Sequence, residues 1–283
     1  MPEGIDFRNP PIAGVAMRLT RRVTRITAPN AGVMTGPGTN TYLVGERDLA
    51  VIDPGPAIAR HVAAIVRHAR RRLRWIFVTH THLDHSPAAR AVAAETGAQL
   101  IGRPPPDGAR QDHGFVPECV PNDGEAIVCD GCTLRAVHTP GHASNHLCWL
   151  LEEERLLFTG DHIMQGSTVV IAPPDGDMSA YLASLEKLLA LDVDALAPGH
   201  GSVISEPHAA VRRLIEHRLW RERKVIDALT GAGTPTLDEL LPVVYSDVAP
   251  QLHAAARGSL HAHLLKLARD GRAVQIAECW RAV

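Results

Sequence analysis

Short apolar runs alternate with polar loops through the first two thirds of the chain. "RRVTRITA", "TYLVG", "DLAVID" and "LRWIFVTH" are typical of strands, and "GCTLRAVH", "LCWLLEEERLLFTGD" and "DALAPG" predict more of them. Residues 57–72 place apolar side chains such as Ile58, Val62 and Ile65 at helical spacing. "SPAARAVAAETG" predicts a helix ended by Gly97, and "MSAYLASLEKLLALD" predicts another. This alternation favours an α/β (α+β) fold in which helices cover sheets.

The pattern changes from Pro207 onward. "HAAVRRLIEHRLWRERKVIDAL" predicts a long polar helix, and Thr236 is a candidate N-cap with Glu239 three residues later, as in a capping box. A further helix, a glycine turn and the strand pair in "RAVQIAECWRAV" complete the plan of a small winged-helix unit. We therefore predict one large domain over residues 1–206 and a linker helix with a winged-helix-like domain over residues 207–283.

Composition narrows the classes of protein that the pattern allows. The chain has 283 residues and a formal net charge of -2, which gives no overall reason to expect nucleic acid or an anionic membrane as partner. No apolar run approaches the roughly 18 residues needed to span a bilayer. "MPEGIDFRNPPIAG" lacks the features of a secretory signal, and five cysteines form no framework, so we expect a cytoplasmic protein with reduced thiols. The "CDGC" sequence, Cys129 to Cys132, is interpreted as a turn between two strands.

Polar residues follow the apolar strands at the points where those strands end. Because loops beyond the strands of one sheet can meet at a common edge, we expect these side chains to converge. Histidine and carboxylate bind Zn²⁺ well, and a catalytic zinc keeps one position open for water. Seven ligands suit two ions. The predicted ligands are His80, His82, Asp84, His85, His142, Asp161 and His200.

At this point the sequence resembles a known family. "THTHLDH", "TPGH", "FTGD" and "APGHG" are similar to the motif series of the metallo-β-lactamase-fold hydrolases. The resemblance implies a four-layer αββα sandwich with the metal site at one edge, and two Zn²⁺ per chain, with iron or manganese as alternatives. It also implies that His80, His82 and His142 bind the first metal, that Asp84, His85 and His200 bind the second, and that Asp161 bridges them.

The resemblance extends beyond the ligand motifs. "GPGTNTYLVG", "IDPGP" and "GDHIMQGSTVVIAPPDGDMSAYLASLEKL", with the winged-helix-like unit, resemble the lactamase-β-like protein 2 group. Members of that group are hydrolases, and some cleave single-stranded RNA. Glyoxalase II is the competing interpretation, since it shares "TH-x-H-x-DH" and a helical C-terminal extension. Here "SPAA" follows the motif in place of a glycine pair, which favours the first group.

These residues lead to a hypothesis of metal-assisted hydrolysis. A hydroxide that bridges the two metals attacks a phosphodiester phosphorus or the acyl carbon of an ester or thioester. Asp84 is the candidate catalytic residue, because it can hold the hydroxide's proton and pass it to the leaving group. Asp53 is expected to anchor the ligand loop by hydrogen bonds. Candidate substrate contacts are Asn40, His162, Gln165 and Ser167.

The substrate and partners stay open between three alternatives. The first is a small-molecule or RNA hydrolase, with no membrane partner and a homodimer as an open possibility. A glyoxalase II-like thioesterase would need cations for glutathione carboxylates, which Arg212, Arg213, Arg218 and Arg221 offer. The third is a nucleic-acid-binding regulator with a structural metal site. The basic run from Arg67 to Arg74 is more typical of a solvated helix end, and residues 207–283 carry only a mild basic excess.

Overall fold

A computed structural model of the chain describes residues 10–283. The N-terminal sequence on which the absence of a secretory signal was predicted lies largely outside the described residues. By its contacts the chain divides into two compact units. The first contains the residues up to Thr139 together with Asn145–Thr168 and Leu191–Pro207; the second contains Pro140–Ser144, Val169–Ala190 and His208–Val283. The sequence-based boundary between residues 206 and 207 stays a prediction.

A six-stranded sheet forms the first half of unit one. Its strands follow chain order, and the first four are antiparallel neighbours, whereas the last three run parallel to one another. The strands are β1 (Ala16–Arg18), β2 (Val23–Thr27), β3 (Asn40–Gly45), β4 (Leu49–Ile52), β5 (Leu73–Phe77) and β6 (Gln99–Ile101).

A five-stranded sheet forms the second half of unit one. The strands are β7 (Ala126–Cys129), β8 (Cys132–His138), β9 (Leu147–Leu151), β10 (Leu156–Gly160) and β11 (Ala195–Pro198). Their order in the sheet is β11-β10-β9-β8-β7, and all neighbouring strands are antiparallel except β10 and β11, which are parallel.

The two sheets pack face to face, because each presents an apolar face to the same core. Phe77 of β5 and Trp149 of β9 meet there at a ring distance of 4.8 Å, and Tyr42 lies 4.9 Å from Phe158. Two helices, α1 (Ala59–Ala69) and α2 (Ala88–Thr96), cover the other face of the first sheet through a second apolar cluster. Burial of both faces explains why the central strands read as continuous apolar runs.

Turn residues set the ends of these elements. Gly97 ends α2 in the left-handed conformation at φ +72°, as the sequence predicted. The Cys129–Cys132 turn joins β7 to β8, and its two buried cysteines are free thiols that lie opposite each other in the strand register. The interpretation of "CDGC" as a turn between two strands is confirmed. "LCWLLEEERLLFTGD" differs from its prediction as one strand. A 3₁₀ turn over Glu152–Glu154 splits it into β9 and β10, because three consecutive acidic residues cannot continue into the buried core.

The second unit is mainly helical. It contains α3 (Met178–Leu188), α4 (Pro207–Ala232, apart from its first residue), α5 (Leu237–Val244), α6 (His253–Arg269) and a hairpin of β12 (Ala273–Ile276) and β13 (Cys279–Ala282). The capping box predicted at Thr236 is confirmed, since its side chain accepts from the Glu239 N–H and Glu239 bonds back to the Thr236 N–H.

An apolar core holds α4, α5, α6 and the hairpin together. Each of these elements contributes a buried apolar side chain to the core: Val225 from α4, Leu240 from α5, Leu264 from α6 and Trp280 from the hairpin. Three helices followed by a β-hairpin match the predicted winged-helix plan. Across the described part of the chain, no helix combines the length and apolarity that crossing a bilayer requires.

Candidate metal centre

The loop that follows β5 carries the histidine motif, and Asp53 at the end of β4 anchors it. Oδ1 of Asp53 accepts the Thr79 N–H at 2.7 Å, and Oδ2 accepts the Thr79 hydroxyl at 2.7 Å and Nδ1–H of His85 at 2.8 Å. Asp53 is 1% exposed and adopts φ +49°, which is uncommon for a residue other than glycine. The predicted anchoring by Asp53 is confirmed by these three hydrogen bonds.

Hydrogen bonding also fixes the orientation of the His80 ring. The Thr79 hydroxyl donates to Asp53, so it accepts from Nδ1–H of His80, 3.0 Å away. Nε2 of His80 therefore carries the lone pair, and it lies 2.9 Å from Nδ1 of His82. Two ring nitrogens that point at one location in this way are positioned to share a cation.

A second group of ligand atoms surrounds His85. Its Nδ1–H is used by Asp53, so Nε2 faces the site, 3.3 Å from Oδ1 of Asp161 and 3.5 Å from Oδ2 of Asp84. Nε2 of His200 lies 3.2 Å from each of those two carboxylate oxygens. Two triplets in unit one therefore bring their ligand atoms within 4.8 Å of one another: His80, His85 and Asp161, and Asp84, His85 and His200.

Side chains of β3 hold the His200 loop by hydrogen bonds to its backbone carbonyls. The amide of Asn40 donates to the carbonyls of Pro198 at 3.0 Å and Gly201 at 2.9 Å, and the Tyr42 hydroxyl also donates to Pro198. Nδ1 of His200 is bonded to the Gly38 carbonyl at 3.3 Å. These contacts direct Nε2 of His200 toward the carboxylates.

His142 lies in the segment Pro140–Ser144, which belongs to the second unit. Its Nδ1 is 2.8 Å from the Val170 carbonyl, and both residues lie in that unit. The contact requires a proton on Nδ1, so Nε2 carries the lone pair of this ring too. One pattern is thus shared by four histidines, in which a protein acceptor fixes Nδ1–H and leaves the lone pair on Nε2: His80, His85, His142 and His200.

Two motif glycines leave room for the ligands. A Cβ at Gly199 would lie 2.8 Å from Oδ1 of Asp161 and 2.8 Å from Cε1 of His85. A Cβ at Gly160 would lie 2.5 Å from the Thr79 hydroxyl, and φ there is +46°. The "TGD" and "PGH" motifs therefore need glycine because side chains of the site pack directly against the backbone.

Charge separates the site into two electrostatic environments. Burial, with the neighbouring His85 and His82 charges, holds the pKa of His80 well below its ordinary value. Burial opposes the charge of His200 as well, yet Asp161 and Asp84 raise its pKa to about 10. Burial also raises the pKa of Asp84, but His85 and His200 outweigh it and lower that pKa to about 2. The carboxylates thus favour cationic neighbours strongly.

The donor set fits a metal of the zinc type. Nε2 of His85 is buried and makes no hydrogen bond, although it lies within 3.5 Å of two carboxylate oxygens. An ordinary protein interior would pair such an atom. Imidazole nitrogens with carboxylate oxygens are ligands that Zn²⁺, iron and manganese accept. A cation would replace the protons that the histidines now need to balance Asp84 and Asp161.

The predicted substrate contacts differ in accessibility. Asn40 is fully buried, and its carbonyl oxygen also accepts from the Thr27 hydroxyl, so its observed contacts are with the protein. His162 is fully buried, with its ring centre 5.9 Å from that of His146. Gln165 and Ser167 are exposed. A substrate-binding role for these four residues stays a prediction.

Several positioning residues have no distinct signal in the sequence. The Thr39 hydroxyl donates to Asp84 at 3.2 Å, and Asn145 donates to the Thr81 hydroxyl at 2.8 Å, which in turn donates to Gln111 at 2.6 Å. Threonine and amide side chains are common in loops, so only the repeated "TH-TH" pattern marks any of them in advance. Their role depends on contacts between distant segments.

The family model described as the metallo-beta-lactamase superfamily matches residues 34–200, which is more than half of the chain. The chain belongs to the metallo-beta-lactamase superfamily. The model of the beta-lactamase associated winged helix domain matches residues 236–280. The predicted family and fold class, a metallo-β-lactamase fold with a winged-helix domain, are therefore confirmed, and the chain is a metallo-β-lactamase superfamily hydrolase.

Two relatives resemble most of the chain. An atrochrysone carboxyl ACP thioesterase from Aspergillus chevalieri is 35% identical, and the match covers 95% of this chain and 87% of the relative. A beta-lactamase-like protein 2 homolog from Caenorhabditis elegans is 32% identical over 90% of this chain and 86% of the relative. A crystal structure of a metallo-beta-lactamase family protein from Thermus thermophilus has a TM-score of 0.78 at 20% identity, over 92% of this chain and 98% of that one. At that identity the structure supports the fold alone.

Proposed function

We propose that the protein is a cytoplasmic binuclear zinc hydrolase that cleaves thioesters or esters. His80, His82 and His142 would hold one ion, Asp84, His85 and His200 the other, and Asp161 both. The observation that carries the proposal is the shared orientation of four imidazoles, whose Nδ1–H groups are fixed by the protein. Histidines that bind a metal through one ring nitrogen almost always donate the N–H of the other to a protein acceptor in this way.

Bound zinc ions would supply an activated water and neutralise negative charge that develops on the substrate. The chain's own residues then have separate tasks. Asp53 and Thr79 keep the imidazoles in one tautomer. Asp84 has a side chain that is 28% exposed, whereas those of Asp161 and Asp53 are 11% and 2% exposed. Asp84 is therefore the carboxylate best placed to take a proton from water and return it to a leaving group.

The thioesterase relative supports an acyl substrate, because it aligns with almost the whole chain. A single-stranded RNA phosphodiester is the second candidate. It follows from the sequence resemblance to the lactamase-β-like protein 2 group and from the homolog of that name. Both reactions need a hydrolytic water and stabilisation of an oxyanion, so the metal ligands alone do not distinguish them.

The arginines of α4 bear on the glyoxalase II alternative. Arg218 and Arg221 are 3% and 2% exposed, and both bind residues of the second unit. Arg218 donates to the Val169 carbonyl, and Arg221 forms a two-pronged ion pair with Asp247. Only Arg212 and Arg213 of the four are exposed. The arginine set therefore gives little support to recognition of glutathione carboxylates.

Metal content and turnover on the same preparations test the proposal. The purified protein is analysed for zinc, iron and manganese, then assayed against acyl-N-acetylcysteamine thioesters, simple esters and a single-stranded RNA. We expect about two metal ions per chain and turnover of a thioester. His82→Ala and Asp161→Ala should lose metal and turnover together, because each removes a ligand.

His113→Ala is the matched control, since His113 is exposed and its side chain is bonded only to the nearby Gly108 carbonyl among the contacts described. It should keep metal and turnover. Turnover of RNA with inert thioesters would move the assignment to the second candidate. Full turnover in a metal-free preparation, or nucleic-acid binding without any turnover, would contradict the proposal and favour a regulator.

A further inference from the structure

A pocket lies in unit one at the end of β4 and β5 opposite the candidate metal centre. It has a volume of about 300 Å³ and lies where β4 begins at Leu49 and where Arg72 precedes β5. The metal-binding loop follows the other end of β5, so five residues of extended strand, roughly 17 Å, separate the two locations. The pocket is therefore distinct from the candidate metal centre.

Positive charge dominates the wall of this pocket. Arg18, Arg21, Arg22 and Arg72 line it, and Glu46 is its one acidic side chain among the described residues. His68 also lines it, with Nδ1 2.8 Å from the Ala64 carbonyl, so that Nε2 is the other ring nitrogen. Four guanidinium groups against one carboxylate leave a formal excess of three positive charges.

The partners of the arginines leave this excess largely uncompensated. Arg21 and Arg22 share Glu46, at 2.9 Å and 3.4 Å, and Arg22 lies 3.8 Å from Glu154 outside the wall. Arg18 and Arg72 are held by backbone carbonyls, which carry no net charge: Arg18 by those of Thr20 and Arg21, Arg72 by those of Ala69 and Glu46.

One donor in this cluster is buried without a hydrogen bond. Nε of Arg22 lies 3.4 Å from Oε1 of Glu46, but outside hydrogen-bond geometry, and the Arg22 side chain is only 26% exposed. A ligand oxygen or a water molecule that accepted from this donor would satisfy it. The pocket thus combines unbalanced charge with an unsatisfied guanidinium donor.

We propose that this pocket binds a small phosphorylated compound through its phosphate group. Guanidinium groups match phosphate oxygens with paired hydrogen bonds, and several of them favour an ion of more than one charge. Leu43 and Leu49 line the remainder of the pocket and suit a short aliphatic part. No phenylalanine, tyrosine or tryptophan side chain is among the residues that line it, so the wall lacks the large aromatic surface on which a nucleobase commonly stacks.

Isothermal titration of the metal-containing protein with inorganic phosphate and with glycerol 3-phosphate tests the proposal, with chloride at matched ionic strength as the blank. We expect saturable binding of both phosphates. The double variant Arg18→Gln/Arg22→Gln should weaken binding at least about tenfold, since two charge-assisted contacts are lost. Arg60→Gln is the matched control, because Arg60 is exposed on α1 and does not line the pocket.

Two further arms separate this pocket from other sources of phosphate binding. Phosphate binding that is lost in His82→Ala but kept in the double variant would place the anion at the metal centre and overturn the proposal. Arginine-dependent binding of a ten-nucleotide single-stranded RNA, with no binding of either small phosphate, would make the surface a nucleic-acid contact and overturn it too. Equal affinities of the wild type and the double variant would have the same consequence.

Discussion

Nδ1–H of His85 donates a hydrogen bond of 2.8 Å to Oδ2 of Asp53, and both side chains are buried. Asp53 directly follows β4, whereas His85 lies in the loop after the neighbouring strand β5. Because β4 and β5 are parallel and paired, their ends meet at the same sheet edge. The carboxylate that follows one strand therefore sets the direction in which the imidazole in the loop after the next strand presents Nε2.

Asp53→Asn tests this positioning role. Both carboxylate oxygens of Asp53 accept hydrogen bonds, whereas asparagine replaces one of them with an NH₂ group, which can only donate. At least one of the three hydrogen bonds is therefore lost. We expect metal affinity to fall about 10- to 100-fold, as for other residues that orient metal ligands. Competition titration with a chromophoric zinc chelator measures it. Asp130→Asn, at an exposed ion pair with Arg47, is the control. Unchanged zinc affinity in Asp53→Asn would show that Asp53 does not orient His85.

Gly199→Ala tests the close packing behind the ligands. The added methyl would approach Asp161 and His85 to 2.8 Å, so the ligands must shift. We expect loss of metal affinity and turnover, with a destabilisation of about 1–3 kcal/mol from overpacking. Gly231→Ala is the control, because no atom lies within 4 Å of the added methyl in α4. Zinc content, turnover and urea unfolding are compared; a fully active Gly199→Ala protein would refute the packing argument.

Short local motifs are the features of this sequence that predict local structure best. Ligand motifs such as "THTHLDH" are local, and each follows a strand whose apolar pattern is easy to recognise. Gly97 and the Thr236 capping box are local signals too, and both were predicted correctly. Local patterns succeed here because one short segment contains both the residues and the backbone geometry they need.

Contacts between distant segments could not be predicted in the same way. Asn40 bonds to Pro198, 158 residues away, and no local pattern indicates that its amide fastens the His200 loop. Arg218 and Arg221 looked like exposed cations on a polar helix, yet they are buried against Val169 and Asp247. Only the packing of α4 within its unit determines which of its polar side chains lose contact with solvent.

The Arg221–Asp247 pair should stabilise the second unit. Arg221 is nearly fully buried, and its guanidinium lies 4.2 Å over the ring of Tyr245. Asp247→Ala would leave this buried charge without its carboxylate. We expect a loss of about 1–2 kcal/mol in unfolding free energy, less than for a fully buried pair because the Asp247 side chain is 43% exposed. Asp238→Ala, at the exposed pair with Arg257, is the control and should cost less. Equal losses in urea unfolding would mean that burial of Arg221 adds nothing.

Because His61 is buried, we expect the unfolding free energy of the protein to depend on pH. Burial lowers its pKa from 6.5 to about 4, and Nε2–H donates to the Thr41 hydroxyl, which itself donates to the Asp53 carbonyl. The folded protein thus holds His61 neutral, whereas the unfolded chain takes up a proton below its ordinary pKa. The contribution of neutral His61 to the unfolding free energy is therefore complete above pH 6.5. It is lost as the pH falls from 6.5 toward 4, by roughly 3 kcal/mol in total.

His61→Gln isolates this effect, since the glutamine amide can donate to Thr41 but does not titrate in this range. Urea unfolding of both proteins is measured from about pH 7.5 to about pH 4. Because other groups titrate equally in the two proteins, the difference between their unfolding free energies reports His61 alone. We expect the wild type to lose stability relative to His61→Gln across this window, by up to the amount above. Parallel pH profiles would show that His61 has the same pKa in the folded and unfolded chain, and that burial on α1 does not hold it neutral.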